Sequence, residues 1–311
     1  MPDGSRHIYI LLSTYNGEPY LAELLESLTA QTYKNFSIHI RDDGSTDHTL
    51  EIIHRYARQF SNIHVQSGPN IGVIQSFYQL LRDVNGVAAN ALFAFCDQDD
   101  YWLADKLESA VKTLSSAENP AESLYCGRQR LADAQLQHTG YSEIPNYFGF
   151  ENALVENIAL GCTMVFGVGI RAKFLQAAPE FMMMHDWWAY LIATAFGEVL
   201  YDQEAHILYR QHASNNVGWN KSVLHMLRKA SNFIRNVASQ QGLQALRQAK
   251  YLLENYPDLP QVKRQQLQEL LALRTQSSCW QRLGYLQRTQ VRRNHWIENC
   301  VLRLTILLNL H

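Results

Sequence analysis

The sequence predicts an α/β fold, a mainly parallel sheet flanked by helices, followed by a helical C-terminal extension. Three observations predict it. Short β-rich apolar runs alternate with helical apolar stripes roughly every 25 to 30 residues over the first 115 residues. Hydrophobic residues make up 47% of the 311-residue chain, which is enough for a full core. Beyond Gly218 strand signals stop, and Gln- and Arg-rich helical segments follow.

Four strand and helix units are predicted in the first half. The clearest helix has four leucines at i, i+3, i+4 and i+7, which therefore share one face. These leucines are Leu21, Leu24, Leu25 and Leu28. The strands are predicted at residues 8–12, 36–40, 63–65 and 91–95. The helices are predicted around residues 21–28, 50–56, 74–81 and 103–114.

The second half is less regular. Strands are predicted at residues 123–126, 162–166 and 205–212, and helices at 150–159 and 190–196. The loss of strand signals places a boundary near residue 218. We therefore expect one domain over residues 1–218 and a basic helical region over residues 219–311.

The most informative segment is the acidic turn that follows the strand at residues 91–95. It reads Cys96-Asp97-Gln98-Asp99-Asp100, three acids in four residues directly after a buried apolar run. Open α/β sheets bind ligands at the carboxyl ends of their strands. Carboxylates suit a hard divalent ion such as Mn²⁺ or Mg²⁺, which completes its shell with substrate phosphates. The turn therefore predicts a site for a phosphorylated substrate.

Cysteine usage indicates a reducing compartment. The five cysteines are odd in number, widely spaced and contain no CxxC, so neither a disulfide framework nor a zinc cluster is expected. The first apolar run is too short for a signal peptide or a membrane span. These features predict a cytoplasmic location.

Several motifs together resemble those of the family 2 glycosyltransferases, inverting enzymes with the GT-A fold. The motifs of the first half are Ser13-Thr14-Tyr15-Asn16-Gly17, Gln31-Thr32-Tyr33, Asp42-Asp43-Gly44-Ser45-Thr46-Asp47 and Asp97-Gln98-Asp99-Asp100. Three later motifs resemble the bacterial rhamnosyltransferase-type branch, which builds surface polysaccharides. They are Gly161-Cys162-Thr163-Met164, His185-Asp186-Trp187-Trp188 and Tyr209-Arg210-Gln211-His212. The resemblance covers residues 7–218.

The resemblance divides that domain into a nucleotide-sugar half at residues 7–115 and an acceptor half at 116–218. It implies that Asp43 accepts the N3 proton of a uracil or thymine base, while Ser13 and Tyr15 contact the same base. The residues alone allow a plainer alternative, in which the Asp42-Asp43-Gly44-Ser45 segment is a helix-capping turn.

For the acidic turn, the resemblance implies that Asp97 holds the sugar nucleotide and that Asp99 is the direct ligand of the metal. His212 is expected as a further metal ligand, or as a diphosphate ligand together with Arg210. The alternatives are a solvated acidic turn and a structural histidine. Asp100 either caps the next helix or touches the donor sugar.

Asp186 is expected to be the catalytic base that takes the proton from the acceptor hydroxyl. Trp187 and Trp188 beside it suit stacking on sugar rings, and Cys162 and Thr163 are expected to line the acceptor pocket. The competing interpretation makes Asp186 a residue favoured by the helix dipole and the two tryptophans part of the core.

Charge is distributed unevenly along the chain. From Lys221 onward, fourteen Lys and Arg face four acids, a net charge of +10, whereas the rest carries −12. Amphipathic basic helices, such as one with a stripe over residues 223–234, lie on anionic membranes in some proteins and pack on the catalytic domain in others. A nucleic acid is not expected as a partner, because no recognition motif accompanies the charge.

The resulting expectation is a metal-dependent inverting transferase that moves L-rhamnose from dTDP-rhamnose to a lipid-linked or growing surface glycan of the O-antigen type. Transfer of a hexose from a UDP-sugar is the first alternative. A non-catalytic sugar-nucleotide sensor is disfavoured by the set of Asp97, Asp99 and Asp186. A nucleotidyltransferase is disfavoured because residues 13–20 hold no Lys or Arg for a triphosphate.

Overall fold

The computed structural model describes residues 6–211 and 240–309. The strands are β1 (Ile8–Thr14), β2 (Phe36–Asp42), β3 (Ile63–Ser67), β4 (Leu92–Cys96), β5 (Tyr101–Trp102), β6 (Ser123–Ala132), β7 (His138–Tyr141), β8 (Val165–Gly167) and β9 (Glu198–Arg210). The helices of the first half are α1 (Leu21–Thr29), α2 (Thr49–Gln59), α3 (Val73–Asp83) and α4 (Lys106–Ser115). Those that follow are α5 (Phe150–Ala153), α6 (Val168–Phe174), α7 (His185–Phe196), α8 (Gln240–Asn255), α9 (Gln261–Gln276), α10 (Cys279–Arg288) and α11 (Trp296–Leu308).

The strands form one sheet with the order β3-β2-β1-β4-β8-β6-β9-β5, and β7 pairs with β6. The strands β3, β2, β1 and β4 are parallel, as the alternation of strands and helices predicts. In the second half β8 runs antiparallel between β4 and β6, so that part of the sheet is mixed. The parallel register aligns the ends of β1 and β4, with Leu12 opposite Cys96.

The sheet is covered on two faces by separate hydrophobic clusters. Alternate side chains of β1 point to opposite faces, so Ile10 and Leu12 join one cluster and Leu11 the other. Helices α1, α2 and α4 cover the first face with residues such as Leu24 and Leu107. Helices α3, α6 and α7 cover the second. This burial on both faces explains the near-continuous apolar runs of the central strands.

Among the predicted elements whose extent differs from that observed, three differ for an identifiable physical reason. The helix expected over residues 150–159 ends at Ala153, where the Asn157 side chain accepts a hydrogen bond from the Ala159 amide (3.1 Å) and so competes with helix formation. The strand expected from residue 162 begins only at Val165, because the preceding residues form a 3₁₀ turn. The strand expected from residue 205 begins at Glu198, since its first half pairs with β6.

The described C-terminal helices pack on the second half of the main domain. Leu252 and Tyr256 lie in the same hydrophobic cluster as Trp188 of α7. The Tyr256 hydroxyl donates to the Lys173 carbonyl (2.7 Å), and Lys173 forms an ion pair with Asp258. For these helices, packing on the main domain is therefore observed. The boundary predicted near residue 218 and the basic stripe over residues 223–234 lie outside the described residues.

Within residues 6–211 and 240–309, no helix combines the length and the apolar character needed to cross a lipid bilayer.

Leu252→Ala tests whether the C-terminal helices contribute to the stability of the main domain. Leu252 is fully buried in the shared cluster, so its truncation should reduce the free energy of unfolding by about 2–5 kcal/mol. Val262→Ala on α9 is the control, since Val262 is exposed and should change stability by less than about 0.5 kcal/mol. Urea unfolding followed by fluorescence gives both values, and equal stability of the two variants would contradict the packing described here.

Candidate active site

The acidic turn leaves the sheet at the carboxyl end of β4, beside the end of β1. Strand β4 is wholly buried, and the chain emerges at Asp97 and Asp99, which are half-buried. Asp100 is again completely buried. The exits of β1 and β2 lie at the same edge, because these strands run parallel to β4. The predicted ligand edge is thus assembled from three loops.

Gln98 ties the acidic turn to the exit of β1. Its side-chain amide donates to the Tyr15 carbonyl (3.0 Å), and its carbonyl oxygen accepts from the Tyr15 amide (2.8 Å). Gly17 leaves room for this bridge, because a Cβ atom at Gly17 would lie 2.5 Å from Gln98 Oε1. The glycine of the Ser13–Gly17 cluster therefore serves close approach rather than a special backbone angle.

Arg210 supports the acidic turn from behind. Its side-chain Nε donates to the Asp99 carbonyl (2.8 Å), and its backbone amide donates to Asp100 Oδ1 (3.1 Å). The guanidinium also pairs with Glu23 (2.5 Å) and lies over the Tyr20 ring, with Cζ 4.4 Å from the ring centre. From its motif, Arg210 is predicted to bind the nucleotide sugar. In the structure the side chain is buried and holds the turn in place.

The carboxyl groups of the acidic turn lie in surroundings that disfavour their charged forms. Burial, together with the nearby charges of Asp99 and Asp186, raises the pKa of Asp97 to about 8. The pKa of Asp100 is raised well above its usual range, again first by burial and then by Asp99 and Asp97. An added cation would relieve this repulsion.

Lys106 is a buried cation beside this charge. Its ammonium lies 3.2 Å from the centre of the Trp102 ring and makes no hydrogen bond within the described residues. Burial lowers its pKa to about 8, while the charges of Asp100 and Asp97 act in the opposite direction. Lys106 thus partly balances the acidic turn through space and by a cation–π contact.

The donor set of the turn fits a hard divalent ion. Ligand atoms of Asp97, Asp100 and Cys162 lie within 4.8 Å of one another. The Asp100 Oδ2 atom is buried and, within the described residues, has no hydrogen-bond partner. Two carboxylates suit Mn²⁺ or Mg²⁺, whereas the Cys162 thiol, whose pKa is raised by burial, does not. Asp99 lies on the same turn, and His212 lies outside the described residues.

The two aspartates at the end of β2, Asp42 and Asp43, have different roles. Asp42 caps the turn, accepting from the Ser45 amide (2.9 Å) and the Ser45 hydroxyl (2.5 Å). Asp43 forms a buried ion pair with Arg41 and accepts from the amides of Ile71 (3.0 Å) and Gly72 (2.8 Å). The alternative interpretation, a capping turn, therefore describes Asp42. Asp43 instead holds the loop between β3 and α3 through the amides of that loop.

The residues predicted to contact the base flank this loop. The Ser13 hydroxyl donates to the Ser76 hydroxyl on α3 (2.7 Å), and the Tyr15 side chain is exposed at the same edge of the sheet. The predicted base contacts of Ser13, Tyr15 and Asp43 thus occupy neighbouring strand exits. Their role in binding a nucleotide stays a prediction.

Asp186 lies in the first turn of α7 and faces the acidic turn. Its carboxylate accepts from the Gly161 amide (3.1 Å) and the Trp187 amide (2.7 Å). Its charge is close enough to raise the pKa of Asp97. The structure therefore brings together Asp97 and Asp186, two residues that lie far apart in the sequence.

His185, next to Asp186, is buried among aromatic rings. Its ring stacks on Phe77, with centroids 4.0 Å apart, and meets Phe95 edge-on at 4.8 Å. Burial lowers its pKa to about 4, so the imidazole is neutral at neutral pH. Neither ring nitrogen has a hydrogen-bond partner within the described residues.

The predicted acceptor residues are more deeply buried than expected. Trp188 is fully buried, and its ring packs near Tyr251 and Tyr256 of the C-terminal helices, so it belongs to the core rather than to a sugar-stacking surface. Cys162 is buried beside Asp100 and Asp97. Thr163 is also buried, and its hydroxyl donates to the Leu160 carbonyl (2.8 Å).

Trp187 is the accessible member of the pair. It is half-buried, and its indole nitrogen donates to the Ala153 carbonyl (2.7 Å). The prediction that both tryptophans contact the acceptor sugar is therefore wrong for Trp188, because helix α7 directs successive side chains to different faces.

Residues 9–177 match the family model described as glycosyl transferase family 2. The chain belongs to glycosyltransferase family 2. It is 32% identical over 228 residues to a dTDP-rhamnosyl transferase, RfbG of Shigella flexneri, which covers 68% of this chain and 75% of RfbG. The protein is therefore a glycosyltransferase, and its sequence is similar to that of a rhamnosyltransferase.

Solved structures show the GT-A fold for this glycosyltransferase. S. aureus TarS 1–349 matches with a TM-score of 0.53 at 16% identity, over 97% of this chain and 90% of TarS 1–349. A mannosyltransferase from Pyrobaculum calidifontis, solved with GDP-Man and Mn²⁺, also matches with a TM-score of 0.53 at 16% identity. This match covers 100% of this chain and 83% of that enzyme. The predicted fold class is confirmed.

Three residues that shape the site of this glycosyltransferase, Gln98, Arg41 and Lys106, were not predicted from the sequence. One signal was available for Lys106, which lies four residues before Ala110 and so occupies a buried position on the stripe of α4. A lysine on the buried face of a helix is rarely accommodated without nearby negative charge. No comparable signal marks Gln98, because its partner Tyr15 is distant in sequence. Arg41 pairs with nearby Asp43, but its contact with Gln79 on α3 depends on the fold.

Gly17→Ala and Gln98→Ala together test the bridge between the two loops. Alone, Gly17→Ala should displace Gln98 and reduce the free energy of unfolding by about 1–3 kcal/mol, since two hydrogen bonds are lost. In a Gln98→Ala background the same change should cost less than about 0.5 kcal/mol. A double-mutant cycle in urea measures this coupling, and additive effects would show that the clash is relieved elsewhere.

His185→Phe tests the buried neutral imidazole through pH dependence. Because the pKa of folded His185 lies at about 4 rather than 6.5, its contribution is complete above pH 6.5 and is lost as pH falls toward 4. Between these pH values the wild type should lose on the order of 3 kcal/mol more stability than His185→Phe. Unfolding at a series of pH values measures the difference, with exposed His54→Phe as the control. Parallel curves for wild type and His185→Phe would exclude a buried neutral histidine.

Proposed function

We propose that this glycosyltransferase is a metal-dependent inverting enzyme that transfers L-rhamnose from dTDP-rhamnose to a lipid-linked or growing surface polysaccharide of the O-antigen type. The observation that carries the reaction type is the proximity of Asp186 to Asp97 of the acidic turn. The similarity to a dTDP-rhamnosyl transferase supports the donor.

The acidic turn is proposed to hold the diphosphate end of the donor. Asp99 and Asp97 would ligate Mn²⁺ or Mg²⁺, with the orphaned Asp100 Oδ2 available beside them. When bound, the ion neutralises the negative charge that develops on the departing nucleoside diphosphate. Gln98 and Arg210 fix the turn from both sides, so its carboxylates stay aligned without rearrangement. His212 is proposed as a further ligand.

Asp186 is proposed as the general base. The amides of Gly161 and Trp187 each donate to one of its oxygens and fix the carboxylate, which keeps lone pairs for an acceptor hydroxyl. Asp186 takes the proton of that hydroxyl while the hydroxyl oxygen attacks the anomeric carbon from the side opposite the diphosphate. The bond between that carbon and the diphosphate oxygen breaks, and the nucleoside diphosphate leaves. A single displacement inverts the configuration at that carbon.

The base of the donor is proposed to bind between the exits of β1 and β2. Tyr15 is exposed there for stacking, and Asp43 Oδ1 retains a lone pair beside its Arg41 partner for the N3 proton of thymine or uracil. Thymine and uracil share this edge, so a UDP-hexose is the alternative donor. Trp187 is proposed to contact the acceptor sugar.

Asp186→Asn and Asp99→Asn separate the two proposed roles. Asp186→Asn should lower the transfer rate at least about 100-fold while donor binding is kept, because only the base is lost. Asp99→Asn should abolish the Mn²⁺-dependent part of donor binding as well as transfer. Calorimetry with dTDP and Mn²⁺ measures binding, and release of dTDP or UDP from a panel of nucleotide sugars measures turnover and identifies the donor.

The exposed Asp83→Asn is the matched control and should behave as the wild type. Normal transfer by Asp186→Asn would overturn the assignment of the base, and Mn²⁺-independent turnover by the wild type would overturn the metal role. Preferred turnover of UDP-glucose or UDP-galactose would replace rhamnose by the hexose alternative.

A further inference from the structure

Two C-terminal helices expose an apolar face that the catalytic role does not use. On α11 the exposed residues Trp296, Cys300, Leu304 and Leu308 recur every four positions and form one stripe. The stripe points away from Leu302 and Ile306, which are buried. Trp296 is 69% exposed and Trp280 on α10 is 82% exposed.

Helices α10 and α11 pack antiparallel, so their exposed faces adjoin. Arg282 Nε on α10 donates to the Leu307 carbonyl (2.9 Å), and Arg303 on α11 donates to the Leu286 carbonyl (2.7 Å). Trp280 and Leu283 lie on the side of α10 that faces away from buried Tyr285 and Leu286. We define the docking face as Trp280, Leu283, Trp296, Cys300, Leu304 and Leu308.

The docking face is continuous with the acceptor side of the site. Asn294, two residues before Trp296, exchanges two hydrogen bonds with Tyr147 (2.8 and 2.9 Å). The Arg292 carbonyl accepts from Asn152 on α5 (3.1 Å), and the next residue of α5, Ala153, accepts from the indole of Trp187. Tyr147, which Asn294 holds, and its neighbour Phe148 are exposed.

Exposed arginines lie near this face, in a region that is basic overall. Residues 240–309 carry ten Lys and Arg against four acids. Arg274, just before α10, and Arg288, at its end, are exposed beside the apolar face. Tryptophan, leucine and arginine in this arrangement are typical of helices that lie in the headgroup region of an anionic bilayer. An exposed face with two tryptophans is uncommon on a protein that remains alone in water.

We infer that the docking face binds the surface of an anionic lipid bilayer and thereby presents the Trp187 side of the site to a lipid-linked acceptor. The apolar side chains enter the boundary between headgroups and acyl chains, and the arginines lie among the anionic headgroups. The acceptor part of this inference rests on the proposed function. Binding of the bilayer itself does not depend on it.

Flotation with vesicles tests the inference on the full-length protein. Wild type should float with mixed phosphatidylglycerol and phosphatidylcholine vesicles, and Trp280→Ser/Trp296→Ser should reduce the bound fraction at equal lipid at least about tenfold. Trp280→Phe/Trp296→Phe is the matched control and should retain most of the binding. Arg274→Glu/Arg288→Glu should weaken binding, whereas Lys34→Glu/Arg58→Glu on the first half of the chain should not.

The native cysteines give an independent readout. Cys279 and Cys300 are exposed and the other three are buried, so Cys279→Ser leaves Cys300 as the accessible site for an environment-sensitive fluorophore. Its emission should shift to the blue on addition of anionic vesicles. Release of nucleoside diphosphate from the donor in solution should be equal in wild type and the tryptophan variants, which separates this test from that of the proposed function.

Three outcomes would overturn the inference. The first is no flotation of a wild-type preparation that turns over its donor. The second is equal flotation of the wild type and the Trp280→Ser/Trp296→Ser variant. The third is a wild-type dimer in sedimentation that becomes monomeric in that variant, which would assign the face to a second copy of the chain.

Discussion

The site depends on holding several like charges at the end of a buried strand. Asp97, Asp99 and Asp100 follow β4 directly, and their mutual repulsion adds to the cost of leaving water. Polar contacts offset this cost, namely the Gln98 bridge to the β1 exit and the Arg210 contacts behind the turn. The same unfavourable charge makes the turn receptive to a divalent cation and its bound diphosphate.

The second half of the fold brings the remaining carboxylate to this turn. Asp186 begins α7, whose Trp188 is anchored in a core that it shares with Tyr256 of the C-terminal helices. The position of the base is therefore linked to helices that lie more than fifty residues later in the sequence. The helices that support α7 are followed by those that carry the proposed docking face, so a single C-terminal region would serve both stability and orientation at a lipid surface.

The local patterns were sufficient for the elements of the first half. Short β-rich apolar runs and period-3.6 apolar stripes predicted β1 to β4 and α1 to α4, because each element buries one face or both against its neighbours. The predicted extent of the helix at residues 150–159 was wrong because the Asn157 side chain competes with the backbone for hydrogen bonds. The predicted sugar contact of the Trp pair was wrong for Trp188, because helix geometry places Trp187 and Trp188 in different environments. Arg210 was recognised from its motif, but its contacts run to partners as distant as Glu23.

The sequence by itself determined the α/β class, the family resemblance and the acidic residues of the site, because these depend on short-range order and on side-chain chemistry. Only the tertiary structure decided which of these residues meet. It set Asp186 near Asp97, buried Lys106 below the turn and left Trp280 and Trp296 in solvent. Proximity and burial between distant segments follow from the packing of the whole chain, which no local pattern encodes.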